Sequence, residues 1–160
     1  MPQTKKMWGT SIWTFFHTIA ASLDDTNFNK TLASELFSYI LQICNLLPCP
    51  SCSKSATNYL NNVHFDDLIN SKQELCILLY QFHDFVNIKT NSPIFLESVQ
   101  NLSIYNNTNV KDAYNNFLTS FTPKKYIIVP QNTRHSAIKL LLESLDAWMK
   151  EKFSDSFTPV

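Results

Sequence analysis

The sequence predicts an all-α protein: a four-helix unit over residues 8–92, followed by a C-terminal extension over 93–160 that holds one amphipathic helix. Three observations carry this reading. Glycine occurs once, as Gly9, so the tight turns of an all-β fold have almost nothing to be built from. Apolar residues recur at spacings of three and four rather than two. Of the 160 residues, 44% are hydrophobic, with 12 Phe, 6 Tyr and 3 Trp, which supplies a core for a single domain burying about 70% of its unfolded surface.

Each element has its own signals. Ile12, Phe15, Phe16, Ile19 and Leu23 place a first helix over 11–23, with Trp8-Gly9 before it and Thr10 or Ser11 as its cap. Asp24 to Asn27 form a loop. A second helix, about 29–47, carries Leu32, Leu36, Phe37, Ile40, Leu41, Ile43 and Leu47. It stops at Pro48, because the residue before a proline is pushed out of helical angles. Pro50 suits the first position of a third helix running to about Asn61, which makes Cys49 its cap. A fourth helix spans 71–90 on Leu75, Leu78, Leu79, Phe82, Phe85 and Val86. After Pro93 the pattern thins. Residues 94–122 scatter apolar positions among Asn, Ser and Thr, and Tyr126 to Val129 read as a short strand or an extended arm. A last helix, about 134–153, rests on Ile138, Leu141, Leu142, Leu145, Trp148 and Met149.

Composition removes several function classes. Lys and Arg number 13, as do Asp and Glu, so no net field draws in nucleic acid or an anionic membrane. One glycine cannot build a Rossmann fingerprint or a Walker A loop. No apolar run approaches the roughly 20 residues of a membrane span, and Met1 to Trp8 lack the apolar core of a signal peptide. The expectation is a soluble, non-exported chain. In that setting closely spaced cysteines point to redox or metal chemistry more than to structural staples.

Cys49-Pro50-Ser51-Cys52 is the focus of the sequence. A C-x-x-C at a helix start puts both sulfurs in disulfide reach, and the free N–H groups there favour a thiolate at Cys49. The competing reading is a zinc site made of Cys44, Cys49, Cys52 and His64. A thioredoxin fold is disfavoured, because helix rather than strand precedes the motif. Trp13 and His17 lie four apart on the first helix; His83 and Asn87 repeat that spacing on the fourth, with Lys89 following. Such pairs usually serve packing. Two of them flanking a C-x-x-C offer flat surfaces for a ring system, polar groups for its edge and a cation for a phosphate.

Taken in order, Trp8-Gly9-x-x-x-Trp13-x-x-x-His17-Thr18, Leu47-Pro48-Cys49-Pro50-Ser51-Cys52 and His83-x-x-Val86-Asn87-x-Lys89 resemble the Erv/ALR family of FAD-linked sulfhydryl oxidases. The resemblance covers about residues 8–92. It implies a four-helix bundle with a short fifth helix and FAD at the mouth of the bundle. It implies that Cys49 and Cys52 are the redox disulfide, Cys49 attacked by substrate thiolates and Cys52 next to the flavin. Trp13, His17, His83, Asn87 and Lys89 would surround FAD, and Gly9, Thr10 and Ser11 would line the site as an N-terminal turn. Electrons would pass from reduced client proteins, or a small thiol carrier, to molecular oxygen and give hydrogen peroxide. No metal is implied. Asp84 and Leu47 stand where the family often has Asn and an aromatic residue. No cysteine follows Cys76, so the tail cysteine pair of cellular members is missing, as in the oxidases of large DNA viruses. A viral source would place the protein in host cytoplasm or the virion.

A homodimer through the first helices is the family's habit. An inert scaffold of the same fold is a further alternative. Cys44 and Cys76 read as buried apolar cysteines, open to pairing if the helices bring them together. The last helix can cover the bundle, form a dimer interface or bind a partner.

Overall fold

The structure, a computed structural model, describes residues 5–92, 105, 107–123 and 133–157. The described residues contain helices α1 (Lys5–Ser22), α2 (Lys30–Asn45), α3 (Pro50–Asn61), α4 (Phe65–Leu68), α5 (Lys72–Lys89), α6 (Val110–Phe121), α7 (Thr133–Lys152) and α8 (Ser154–Phe157), and no strand. The all-α expectation therefore holds. Tyr126 to Val129 lie outside the described residues.

Local chemistry sets most of the helix ends. The Asn29 side chain accepts the Leu32 N–H and starts α2. At α5 the Ser71 hydroxyl oxygen accepts the Glu74 N–H, while the Glu74 carboxylate accepts the Ser71 hydroxyl and the Asn70 N–H. This is a capping box shifted by one donor. Asn109 starts α6 by accepting the Asp112 N–H. The far end of α5 closes with Asn91 at φ 55°. Ser92 N–H donates to the Asn87 carbonyl at 2.8 Å and Asn91 N–H to the Ile88 carbonyl at 3.3 Å. That paired closure satisfies carbonyls a helix would otherwise leave open, and Asn tolerates the left-handed angle it requires.

Two expectations need correcting. The first helix begins at Lys5, so Thr10 and Ser11 lie inside it and cap nothing. Gly9 does not stop it, because a single helical glycine costs only about 1 kcal/mol against alanine. The second concerns residues 94–122, where no helix was expected and α6 forms.

Helix α1 is the centre of the molecule. Phe15, Phe16, His17, Thr18, Ile19 and Ala20 are consecutive and all buried. Six positions in a row sweep every face of a helix, so α1 is enclosed all round over residues 15–20. On one side it meets α5; on another, α6 lies along it, with Phe15 stacked on Phe117 at 4.7 Å and tilted against Tyr114 at 5.5 Å. The Ser11 and Ser120 hydroxyls bond across the same seam.

Helix α7 runs antiparallel to α2. Trp148 Nε1 donates to Glu35 at 2.9 Å, Tyr39 donates to the Ser144 carbonyl at 3.3 Å, and Arg134 Nη2 donates to the Leu46 carbonyl at 2.7 Å. Ile138, Leu141, Leu145 and Met149 join the same core as α1. The described part of the extension thus covers the bundle.

Candidate active site

The second and third helices meet at the C-x-x-C. Pro50 occupies the first turn of α3 and Cys49 is its cap, with φ −111° and ψ 109°. The Cys52 N–H points at Cys49 Sγ, 3.3 Å away. Cys49 and Cys52 form a disulfide with a Cα separation of 5.2 Å. When the bond is reduced, a thiolate on Cys49 would sit on the positive end of a 12-residue helix with an N–H already aimed at it. The Ser51 hydroxyl lies 3.3 Å from the same sulfur.

Cys52 faces a cavity of about 670 Å³, within the roughly 300–1,000 Å³ range of small-molecule and cofactor sites. The cavity lies between α1, α3 and the end of α5. Gly9, Thr10, Trp13, Cys52, His83, Asn87 and Lys89 line it. Cys49 does not, so the two sulfurs of the disulfide have different surroundings. Among the described lining residues Lys89 is the one cation, its ammonium 5.6 Å from the Phe85 ring centre. The Cβ that Gly9 lacks would meet no atom within 4 Å. A ligand can therefore come close to the backbone there.

Trp13 and the two histidines form one stack. The Trp13 and His83 rings lie 4.0 Å apart and 11° from parallel, and Phe82 meets Trp13 edge-on at 5.0 Å. Behind them His17 Nε2 and His83 Nδ1 are 3.0 Å apart, so one imidazole donates to the other. His17 also meets the rings of Tyr80 and Tyr105, each at 4.7 Å. Burial, then the neighbouring His83, pushes His17 down to about 3. Burial also pushes His83 down to about 4, against the opposing pull of Asp84. Both rings are neutral near pH 7 and form a rigid polar backing.

Most of the residues expected at the site converge, but three stand off the cavity wall: Cys49 and two more. His17 lies in the layer behind Trp13 and His83. The Ser11 hydroxyl turns to Trp8 O and to Ser120. Sequence reasoning missed Ser55 and Ala56 on α3, Phe82 and Phe85 on α5, and Thr90 and Ser92 past its end. Positions 55 and 56 could have been found, because they follow Cys52 by three and four residues and share its face.

Cys44 also lines the cavity. It is a free thiol, 2% exposed, and burial holds it strongly protonated. Cys76 is free as well, and burial raises it to about 11. The two are not paired.

The zinc quartet does not assemble. Cys49 and Cys52 are bonded to each other, and His64 lies beyond the opposite end of α3, roughly 18 Å along a helix of 12 residues. Among the described residues no group of three or more metal-binding side chains comes together. No described helix is long and apolar enough to cross a membrane.

The profile of the Erv1 / Alr family matches residues 10–121. The match runs past Ser92 and takes in α6. A candidate FAD-linked sulfhydryl oxidase of Invertebrate iridescent virus 3 is 30% identical over 90 residues, 55% of this chain and 59% of the relative. Another, of Invertebrate iridescent virus 6, is 29% identical over 98 residues, 58% of this chain and 87% of the relative. The mitochondrial FAD-linked sulfhydryl oxidase of Schizosaccharomyces pombe is 26% identical over 87 residues, 54% of this chain and 47% of that protein. The chain thus spans about three-fifths of the first relative and about half of the third. No solved structure matches it.

Proposed function

The chain belongs to the Erv1 / Alr family, and from that premise we propose that it is an FAD-dependent thiol oxidase making disulfide bonds in client proteins. One observation carries the reading: a single disulfide at a helix start, with Cys52 on the wall of an aromatic cavity and Cys49 off it. The relatives' names supply FAD, and the cavity suits it. Trp13 and His83 offer a flat polar-backed surface, Gly9 allows close approach, and Asn87 and Lys89 offer a hydrogen-bonding edge and a cation for a diphosphate. Bound FAD would supply a two-electron acceptor and the onward transfer to oxygen that yields hydrogen peroxide.

The protein's own groups handle the thiols. A client thiolate attacks Cys49 Sγ. The Cys49–Cys52 bond breaks, its electron pair goes to Cys52, and a mixed disulfide remains on Cys49. The client's second thiolate then attacks the client sulfur of that mixed disulfide. Cys49 leaves as a thiolate, received by the Cys52 N–H, and the client carries a new disulfide. The protein is left with two reduced cysteines, Cys52 facing the cofactor cavity. Pro48 and Ser51 are exposed, so clients or a small thiol carrier reach Cys49 from that side. The viral relatives favour host cytoplasm or the virion as the setting.

Purified full-length protein is expected to carry about one FAD per chain, absorb near 450 nm and consume oxygen with dithiothreitol. Cys49→Ser and Cys52→Ser are each expected to abolish oxygen uptake while FAD stays bound. A colourless protein after expression with ample riboflavin, or a serine variant with near-normal turnover, would sink the reading.

A further inference from the structure

The span that presents Cys49, from Leu46 to Cys49, is held by hydrogen bonds, one of them from the Leu46 N–H to the Ile43 carbonyl of α2 at 3.0 Å. Ser53 Oγ accepts the Leu47 N–H at 3.0 Å. Cys49 Sγ accepts the Cys52 N–H, and the Cys49 carbonyl accepts the Ser53 N–H at 3.0 Å. Those three bonds come from α3, immediately downstream. A further one comes from 88 residues away, where Arg134 at the start of α7 donates from Nη2 to the Leu46 carbonyl at 2.7 Å.

That carbonyl needs a partner. Leu46 ends α2 at φ −119° and ψ 24°, without the left-handed closure seen at Asn91. Pro48 has no N–H, so the loop cannot close on itself through that residue. A guanidinium bond to a carbonyl is charge-assisted, stronger than a neutral one. Arg134 has no carboxylate in competition, since the ion pairs among the described residues are Lys150–Asp146 and Lys152–Glu151.

We propose that Arg134 is a positioning residue for the thiol chemistry: by holding Leu46 it fixes the Leu46–Cys49 span so that the Cys49 sulfur stays seated on the N–H groups that open α3. Its catalytic consequence rests on the thiol-oxidase reading; its effect on Cys49 reactivity does not. When the disulfide is reduced, no sulfur–sulfur bond holds the Cys49 side chain against Cys52. The loop then relies on its hydrogen bonds, and thiolate character at Cys49 depends on that alignment. The C-terminal part of the chain thus acts on the redox pair through one side chain and without touching it.

The test uses reduced full-length protein labelled with iodoacetamide between about pH 5 and pH 9, with Cys49 modification read by peptide mass spectrometry. Arg134→Met should move the midpoint of Cys49 labelling up by about half a unit to one unit and lower kcat/KM for dithiothreitol about three- to tenfold. Arg134→Lys and Arg134→Gln each keep an N–H for the single bond to Leu46, and should return the midpoint to near the wild-type value. Ser53→Ala cuts the neighbouring tie and should shift it upward as well. A wild-type midpoint in Arg134→Met overturns the proposal. So do Lys and Gln variants displaced as far as Met. Arg134 is half-buried and α7 stays seated through Tyr39 and Trp148, so the Met variant should fold. If it does not, a displaced midpoint in folded Arg134→Gln overturns the proposal and a wild-type one supports it. Failure of the wild-type protein to bind FAD or consume oxygen would defeat the oxidase reading and leave these midpoints interpretable.

Discussion

Gly9 links helix stability to ligand binding in one residue. It sits inside α1 on the cavity wall, with open space where a Cβ would be. Gly9→Ala should therefore stabilise ligand-free protein by about 0.5–1 kcal/mol through helix propensity. The added methyl should weaken FAD binding if the ligand approaches that backbone. Thermal melts and flavin titration of the same variant measure both effects, and a methyl that changes neither would remove Gly9 from the site. His17 and His83 give a pH signature. Folding lowers both, to about 3 and about 4, whereas the unfolded chain protonates them near 6.5. Stability from this pair is complete above about 6.5 and falls as pH drops toward the folded values, by up to about 2.7 kcal/mol per unit while both titrate. Urea melts between about pH 5 and 7.5 should show the slope, and His17→Gln should roughly halve it. Cys44 shares the cavity with Cys52 but is held protonated, so Cys44→Ala should keep turnover near wild type. A tenfold loss with FAD still bound would make it an electron carrier instead.

At the scale of elements, the end of α5 governs Asn87, Lys89, Thr90 and Ser92 together. Asn91→Ala keeps a β-carbon at left-handed angles but loses the short polar side chain that eases them, at a cost of up to about 1–2 kcal/mol. It should lower the melting temperature and loosen flavin, whereas Asn91→Gly should do neither. Phe117→Ala on α6 should cost about 3–5 kcal/mol, because that ring is fully buried against Phe15. The four helices around the C-x-x-C were legible because each has a periodic apolar face, and α2, α3 and α5 also have a proline or a capping side chain at an end. Helix α6 was just as periodic: Val110, Ala113, Tyr114, Phe117, Leu118 and Phe121 fall at spacings of three and four. Asp112, Asn115, Asn116 and Thr119 on its exposed side are poor helix formers, and that composition hid the period. Packing against α1, which no local pattern reports, decides the matter. The site was legible where chemistry demands particular residues, at Cys49, Cys52, Trp13 and His83. The small and apolar wall, such as Ala56 and Phe85, carries no such mark. The pairing of Arg134 with Leu46 could not be read at all, because it depends on which way α7 runs.

Across the whole molecule, α6 and α7 cover the bundle from two sides. A dimer through α1 would have to displace α6, so light scattering should find no dimer that Phe15 or Phe117 substitutions dissociate. Deleting residues 131–160 should remove Ile138, Leu141, Leu145 and Met149 from the core and abolish a cooperative melt, where a detachable tail would leave the melt unchanged. The long-range ties also impose an order in time. Ser11 meets Ser120, Leu46 meets Arg134, and Glu35 meets Trp148, across separations of 109, 88 and 113 residues. A ribosome adding about 5–20 residues per second leaves α1 and the cysteine loop outside for several seconds before their partners exist. Through that interval Phe15 has no Phe117 to cover it, and the loop before Cys49 lacks its bond from Arg134. Newly made chains should therefore be sticky until α6 is added, and on the Arg134 proposal Cys49 should reach its full reactivity only once α7 has been synthesised.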